Sequence, residues 1–330
     1  MKKVPRPAII LVTLLGIWVL LLPWFYRDLF DHYFYMPFLG IIGATVANTT
    51  PAAAGIVYFP SLTQLQISPA TAVQFSLIIQ AYGMGLGTYK WYWVNKKLFL
   101  WNLMPICLSA GLLGIFTSML IIPIQNPQLL SLTFNTVAFL FTQVILFSIL
   151  FEHQYPNLVL QLTGKRLVLL ALFSFTGGLI SGWIGFGIDT LFYFLLTLRF
   201  RIHPAVAIVT SISLMAAMSL AGTLINCVYY EVPLSLWYSA IPGVTVAGLF
   251  LATYLAVKLG AKNILLLFTA LLSLNFLLSF WNQTFIPLDP RVKTIMLWSI
   301  SGYLLFIHLK ILHNNPRNLA AATERFDLKP

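Results

Sequence analysis

Long apolar blocks follow one another from residue 8 to residue 311, and the charged residues gather at the ends of the blocks rather than inside them. A helix crossing the roughly 30 Å hydrocarbon core of a bilayer needs about 20 apolar residues. The blocks at 8–22, 70–89, 98–121, 129–151, 205–229, 234–257, 264–281 and 292–311 suit single crossings. Two stretches do not. Residues 167–198 are too many for one crossing and too few for two, and they hold one acid, Asp189. Residues 33–89 carry no charge, and once 70–89 is set aside too little is left for two more crossings. Both 36–62 and 167–198 are therefore expected to be re-entrant hairpins, each made of two half-helices that enter and leave by one face.

Local chemistry predicts where the hairpins break. In the second, Gly177, Gly178, Gly182, Gly185 and Gly187 cluster, and glycine adopts positive φ cheaply and lets backbones approach. Its limbs should meet near mid-membrane at 183–187. In the first, the break falls at Asn48, Thr49, Thr50 and Pro51, because Pro51 suits the first turn of a helix capped by Thr49 or Thr50.

Charge then sets the orientation. With the N-terminus inside and both hairpins returning to their side of entry, 16 of the 19 Lys and Arg residues fall on the cytoplasmic face. Only Arg27, Arg291 and Lys293 fall outside. Were both hairpins full crossings, Lys90, Lys96 and Lys97 would lie outside, against the positive-inside bias. The chain thus reads as an all-α polytopic membrane protein with eight transmembrane helices and two re-entrant hairpins, N-in and C-in.

Composition agrees: hydrophobic residues make up 59% and charged residues 8%, far from the balance of a soluble domain. The net charge of +11 sits in single or paired residues at block ends, which excludes a nucleic-acid tract and marks topology anchors beside anionic headgroups. Lys2, Lys3 and Arg6 before the 8–22 block resemble a signal peptide. Pro23, Trp24, Phe25 and Tyr26 follow in place of a small-residue cleavage site, so the block is expected to be a retained span. Cys107 and Cys227 fall inside spans and read as small core residues. No cofactor and no metal are expected.

The second half repeats the first. A shift of 135 residues brings Gly43 onto Gly178, Tyr58 onto Tyr193, Ile67 onto Ile202 and Pro69-Ala70-x-Ala72 onto Pro204-Ala205-x-Ala207. Without gaps it also brings Ser76 onto Ser211 and Gly87-Thr88 onto Gly222-Thr223. The repeat halves, 1–152 and 167–311, flank a cytoplasmic loop at 153–166, and a polar tail occupies 312–330. On the charge argument the two hairpins enter from opposite faces, so the repeat is inverted. Inverted repeats with broken helices at matching positions mark secondary transporters.

The pattern Gly178-x-x-x-Gly182-x-x-Gly185-Phe186-Gly187, followed by Ile202-His203-Pro204-Ala205-x-Ala207 and Thr210-Ser211, resembles the glycine-rich repeat of the TauE/SafE (TSUP) family of sulfite and organosulfonate exporters. The resemblance implies export of a small sulfur-containing anion, such as sulfite or a sulfonated carboxylate, across the cytoplasmic membrane of a prokaryote. Where that family usually carries Gly-Ile-Gly-Gly-Gly, the second copy has Gly185-Phe186-Gly187-Ile188-Asp189 and the first has Thr50-Pro51-Ala52-Ala53-Ala54.

The returning limbs expose backbone N–H groups near 49–52 and 185–188, and helix N-termini bind anions without a buried Lys or Arg. Candidate substrate contacts are Asn48, Thr49, Thr50, Pro51, Trp183, Gly185, Phe186, Gly187, Thr210 and Ser211. The threonines also serve as caps, Ser211 as a small packing residue and Trp183 as a packed aromatic, and both readings stand at this point. Asp189 has two as well: proton coupling, since an intramembrane carboxylate is costly unless protonated, paired or wet, or a cap on the half-helix that starts near Gly187. The partners expected are a small anionic substrate and the lipid bilayer, with a homo-oligomer left open. A rival reading is an aquaporin-like channel for small neutral solutes, weakened because the second tip lacks Asn and Pro. An enzyme is not expected: Asp189 has no acidic partner and Ser181-Gly182 lacks the context of a nucleophile.

Overall fold

The chain is seen in a computed structural model that describes residues 6–150, 157–282 and 289–313. Lys2 and Lys3, the loop residues Glu152 and His153, and the tail beyond residue 313 lie outside the described residues. Twelve α-helices follow in order among those described: α1 (Arg6–Arg27), α2 (Met36–Thr49), α3 (Gly55–Gln64), α4 (Pro69–Asn95), α5 (Met104–Phe116), α6 (Pro127–Leu150), α7 (Gly164–Ile184), α8 (Ile188–Phe194), α9 (Pro204–Tyr229), α10 (Leu234–Val246), α11 (Ala252–Asn282) and α12 (Pro290–His313). Wider π-helical turns extend α1, α5, α8 and α10. Seven helical segments are long and apolar enough to cross a membrane, as a polytopic protein requires.

Both stretches expected to be hairpins fold back on themselves. In the first, Tyr58 of α3 lies against Gly43 of α2 and turns its hydroxyl toward the Gly40 carbonyl, 3.5 Å away. In the second, Ile188 at the start of α8 lies against Gly177, and Gly187 against Ile180. A chain running straight on would carry these residues apart. The second hairpin is unequal, and here the expected pair of half-helices is corrected. α7 is 21 residues long, enough to cross by itself. Residues 185–187 then descend along its last turns, so α8 begins level with Gly177, about 10 Å below the end of α7 at 1.5 Å per residue.

The glycines explain that inequality. Gly177, Gly178 and Gly182 do not break α7; they let other backbones in. A Cβ on Gly178 would meet the Gly111 carbonyl of α5, one on Gly114 of α5 would meet the Phe175 carbonyl, and one on Gly177 would lie 2.7 Å from the Ile188 Cα. This is the close packing that small residues permit between membrane helices. The break falls only at Gly185 (φ 78) and Gly187 (φ 144), where the backbone takes values that other residues rarely adopt.

Three further expectations need correction. Leu98 does not open a span: Lys96–Leu98 and Trp101–Leu103 are short 3₁₀ turns, and the following α-helix begins at Met104 with Pro105 in its first turn. No loop separates 257 from 264, because α11 is helical from Ala252 to Asn282. The intervening residues are mostly good helix formers, and Gly260 alone costs about 1 kcal/mol, too little to break a packed helix. Cys107 is buried as expected, but Cys227 is exposed on the outer face of α9.

At the centre α4 lies along α9, with Gly222 against the Leu77 side chain and the Thr223 hydroxyl donating to the Leu77 carbonyl. Both helices start alike. Each has Pro at its first turn and a preceding side chain that accepts a backbone N–H, Ser68 from Thr71 and His203 from Ala205. Two non-glycine residues among those described have positive φ, Gln66 (φ 64) and Arg201 (φ 54), and they are 135 residues apart. α1 is peripheral: its Trp18 exchanges hydrogen bonds with Tyr238 of α10 and stacks on its ring.

Candidate functional site

The first hairpin tip is made of α2's end and α3's beginning, and the two ends are treated differently. Side chains in α2's last turn bond back onto carbonyls one turn earlier that the helix already uses: Thr49 Oγ donates to Thr45 O at 2.7 Å, Thr50 Oγ to Val46 O at 2.8 Å, and Asn48 Nδ2 to Ala44 O at 2.8 Å. Asn48 also ties the tip to α4, donating to Gly83 O at 3.2 Å and accepting from Trp91 Nε1 at its own carbonyl at 3.1 Å. At the start of α3 the chain offers only methyl groups and hydrogens. Among the described residues no acceptor faces the N–H groups of Ala52, Ala53, Ala54 and Gly55, and all four residues are buried. A buried amide left unpaired costs about 1–3 kcal/mol. These amides lie at and just before the first turn of α3, the positive end of its dipole, where helices offer donors to anions.

The second tip is closed by its own side chains. Ser181 Oγ accepts from the Ile188 N–H at 2.9 Å, and Asp189 Oδ1 accepts from the Gly187 N–H at 3.3 Å. A carboxylate of the chain itself thus sits where an external anion would sit. Its other oxygen, Asp189 Oδ2, is buried without a partner. Phe186 packs into a ring cluster with Phe134 and Phe141 of α6, and Phe134 in turn stacks on Phe59 of α3. α6 therefore clamps both hairpins.

The tips touch. A Cβ on Gly55 would lie 2.7 Å from the Gly185 carbonyl oxygen, so the first turn of α3 abuts the left-handed residue of the second tip. Gln80 of α4 stands at the junction, with Nε2 donating to Gly185 O at 2.9 Å and Oε1 buried and unpaired. Ser76, one turn earlier, lies beside Gly185.

Of the residues singled out from sequence, Asn48, Thr49, Thr50, Pro51, Gly185, Phe186, Gly187 and Asp189 belong to the two tips. Three lie elsewhere. Trp183 turns outward, its Nε1 donating to Ile122 O at 2.8 Å. Thr210 holds the turn before α5, accepting from the Leu100 N–H at 3.2 Å. The Ser211 hydroxyl donates back to Ile208 O within its own helix. Ala53, Ala54, Gly55 and Gln80 were not among the expected contacts, and Ser181 was weighed only as a nucleophile. Gln80 carried a signal nonetheless, as an amide in an otherwise apolar block.

Residues 36–277, well over half of the chain, match the family described as Sulfite exporter TauE/SafE. The protein belongs to that family. No curated protein and no solved structure matches it. The matched TauE/SafE region takes in both hairpins and the junction between them, while α1 and α12 fall outside it. With its seven candidate spans, this TauE/SafE protein is a multi-pass membrane protein of a transporter family.

Proposed function

We propose that this protein exports a small sulfur-containing oxyanion, sulfite or a sulfonate such as sulfoacetate, across the cytoplasmic membrane, and that protons are coupled to the movement. One observation carries the reading: among the described residues the buried amide N–H groups of Ala52–Gly55 have no hydrogen-bond partner, and Gly55 lies at the tip junction. Such donors suit oxyanion oxygens, which accept several hydrogen bonds at once. Family membership supplies the substrate class and the outward direction.

On this reading the two tips lie within an inverted repeat at mid-membrane depth, and the substrate reaches the Ala52–Gly55 N–H groups only when the tips part, because the contact of Gly55 with Gly185 leaves no room for it while they touch. The repeated start of α4 and α9, with left-handed residues 135 positions apart, supports that symmetry. Asn48, Thr49 and Thr50 shape the seat by holding α2's end, since their donors are spent on its carbonyls. Gln80 Oε1 accepts from a protonated oxyanion, and Asp189, with one oxygen unpaired, exchanges the coupled proton. The junction is buried in this conformation, so transport requires the tips to part toward one face and then the other. A channel for neutral solutes has no support in the family match.

Proteoliposomes test this directly. Saturable uptake of labelled sulfite or sulfoacetate into inside-out vesicles, accelerated by an imposed proton gradient, is the expected result. Water or glycerol flux without anion flux would sink the proposal.

A further inference from the structure

The end of the second hairpin remote from the tips carries a different feature. Asn157, the start of α7 and the turn after α8 border an open cleft of about 310 Å3, at which Lys165, Arg199 and Arg201 are exposed. Four of its lining side chains are cationic, Lys165, Arg166, Arg199 and Arg201, and among the described residues no acid lines it. Asn157 fixes the walls: its N–H donates to Arg201 O at 3.4 Å, its carbonyl accepts from the His203 N–H at 2.9 Å, and Nδ2 donates to Phe200 O at 3.1 Å. Arg166 is engaged, donating to Gln161 O at 2.8 Å and lying over the Phe200 ring. Lys165, Arg199 and Arg201 have no side-chain partner among the described residues. Lys90 and Lys258, by contrast, lie over the rings of Phe250 and Tyr254.

The fold does not require these charges. Shifting by 135 residues puts Phe30, Asp31, Gln64 and Gln66 in the places of Lys165, Arg166, Arg199 and Arg201. Gln66 adopts the same left-handed backbone as Arg201, so the turn forms without a cation. The positive-inside bias accounts for cations on one face but not for their convergence on one concavity, where like charges repel. A bound anion removes that repulsion.

We infer that this cleft is a second anion site, separate from the hairpin tips, that takes a tetrahedral oxyanion of the phosphate class, either free or as an anionic phospholipid headgroup. Lys165, Arg199 and Arg201 supply the charge, and Arg166, held on Phe200, supplies a fixed guanidinium face.

The test uses the purified full-length protein and three variants: Lys165→Gln/Arg199→Gln/Arg201→Gln, the milder Arg201→Gln that copies Gln66, and Lys90→Gln/Lys258→Gln/Lys310→Gln as a control of equal charge. Binding of radiolabelled inorganic phosphate in neutral detergent is measured, together with retention of phosphatidylglycerol over phosphatidylcholine in mixed nanodiscs. Saturable phosphate binding, weakened at least about tenfold in the cleft triple variant, measurably in Arg201→Gln and not in the control, is the expected result. The same pattern in lipid retention alone identifies the headgroup as the occupant and also supports the site. Equal losses in cleft and control variants, or neither saturable phosphate binding nor lipid preference, overturn it. Arg201→Gln decides the matter should the triple variant fail to fold. Gly55→Ala alters the tips alone, so loss of sulfite flux with phosphate binding intact separates the two sites.

Discussion

The two hairpins solve the same backbone problem in opposite ways. Each interrupts a helix inside an apolar block and so leaves N–H groups without intrahelical partners. The second hairpin fills the gap from within, with the Ser181 hydroxyl on Ile188 and the Asp189 carboxylate on Gly187. The first spends its side-chain hydroxyls on the outgoing helix and leaves Ala52, Ala53, Ala54 and Gly55 unpaired. A symmetric pair of seats would have suggested two anions or one shared equally. The asymmetry is the ground on which we propose the first tip as the anion's seat, with the second a self-capped partner whose Asp189 Oδ2 has no hydrogen-bond partner.

The most disruptive way to break this comparison is to force the tips apart. In Gly55→Ala the new methyl would meet the Gly185 backbone at 2.7 Å, and neither side can rotate away. A flux loss of about a hundredfold is expected in proteoliposomes, because displacements near 1 Å at a working site have that effect. Full activity in this variant would mean that the tips are not the site. Asp189→Asn should act less severely, keeping an oxygen for the Gly187 N–H while removing the exchangeable proton. Sulfite flux is then expected to lose its dependence on external pH and to fall about tenfold. An unaltered pH profile would confine Asp189 to capping. Ser181→Ala should have the smallest effect on flux, but it strips the Ile188 N–H of its acceptor and so makes the second tip resemble the first. A stability loss of about 1–3 kcal/mol, partly restored by added sulfite, is expected in thermal unfolding.

Much of this was legible in the sequence, for identifiable reasons. Block length against membrane thickness exposed both hairpins, and Thr50-Pro51 and Gly185-x-Gly187 located their breaks, because proline and glycine act on the backbone locally. What was not legible depended on neighbours. Gly177, Gly178 and Gly182 looked like part of a break, but Gly111 and Gly114 of α5 and Ile188 pack against that face of α7, and close packing keeps the helix intact. Thr210 was a plausible ligand by type, and only the path of the 98–100 segment shows it serving a turn. Gly55 and Gln80 escaped notice because their importance lies in a contact with Gly185, more than 100 residues away in the chain. The choice between the two tips was beyond reach too, since both carry capping residues and only the hydrogen-bond partners tell which helix end they serve.

Hydrogen exchange measured by mass spectrometry on peptides spanning each tip, with and without sulfite, examines the central asymmetry most directly. Slower exchange at Ala52–Gly55 in the presence of sulfite, with little change at 185–190, is the predicted outcome. Protection confined to the second tip, or none at either tip under conditions where sulfite is transported, would contradict the account.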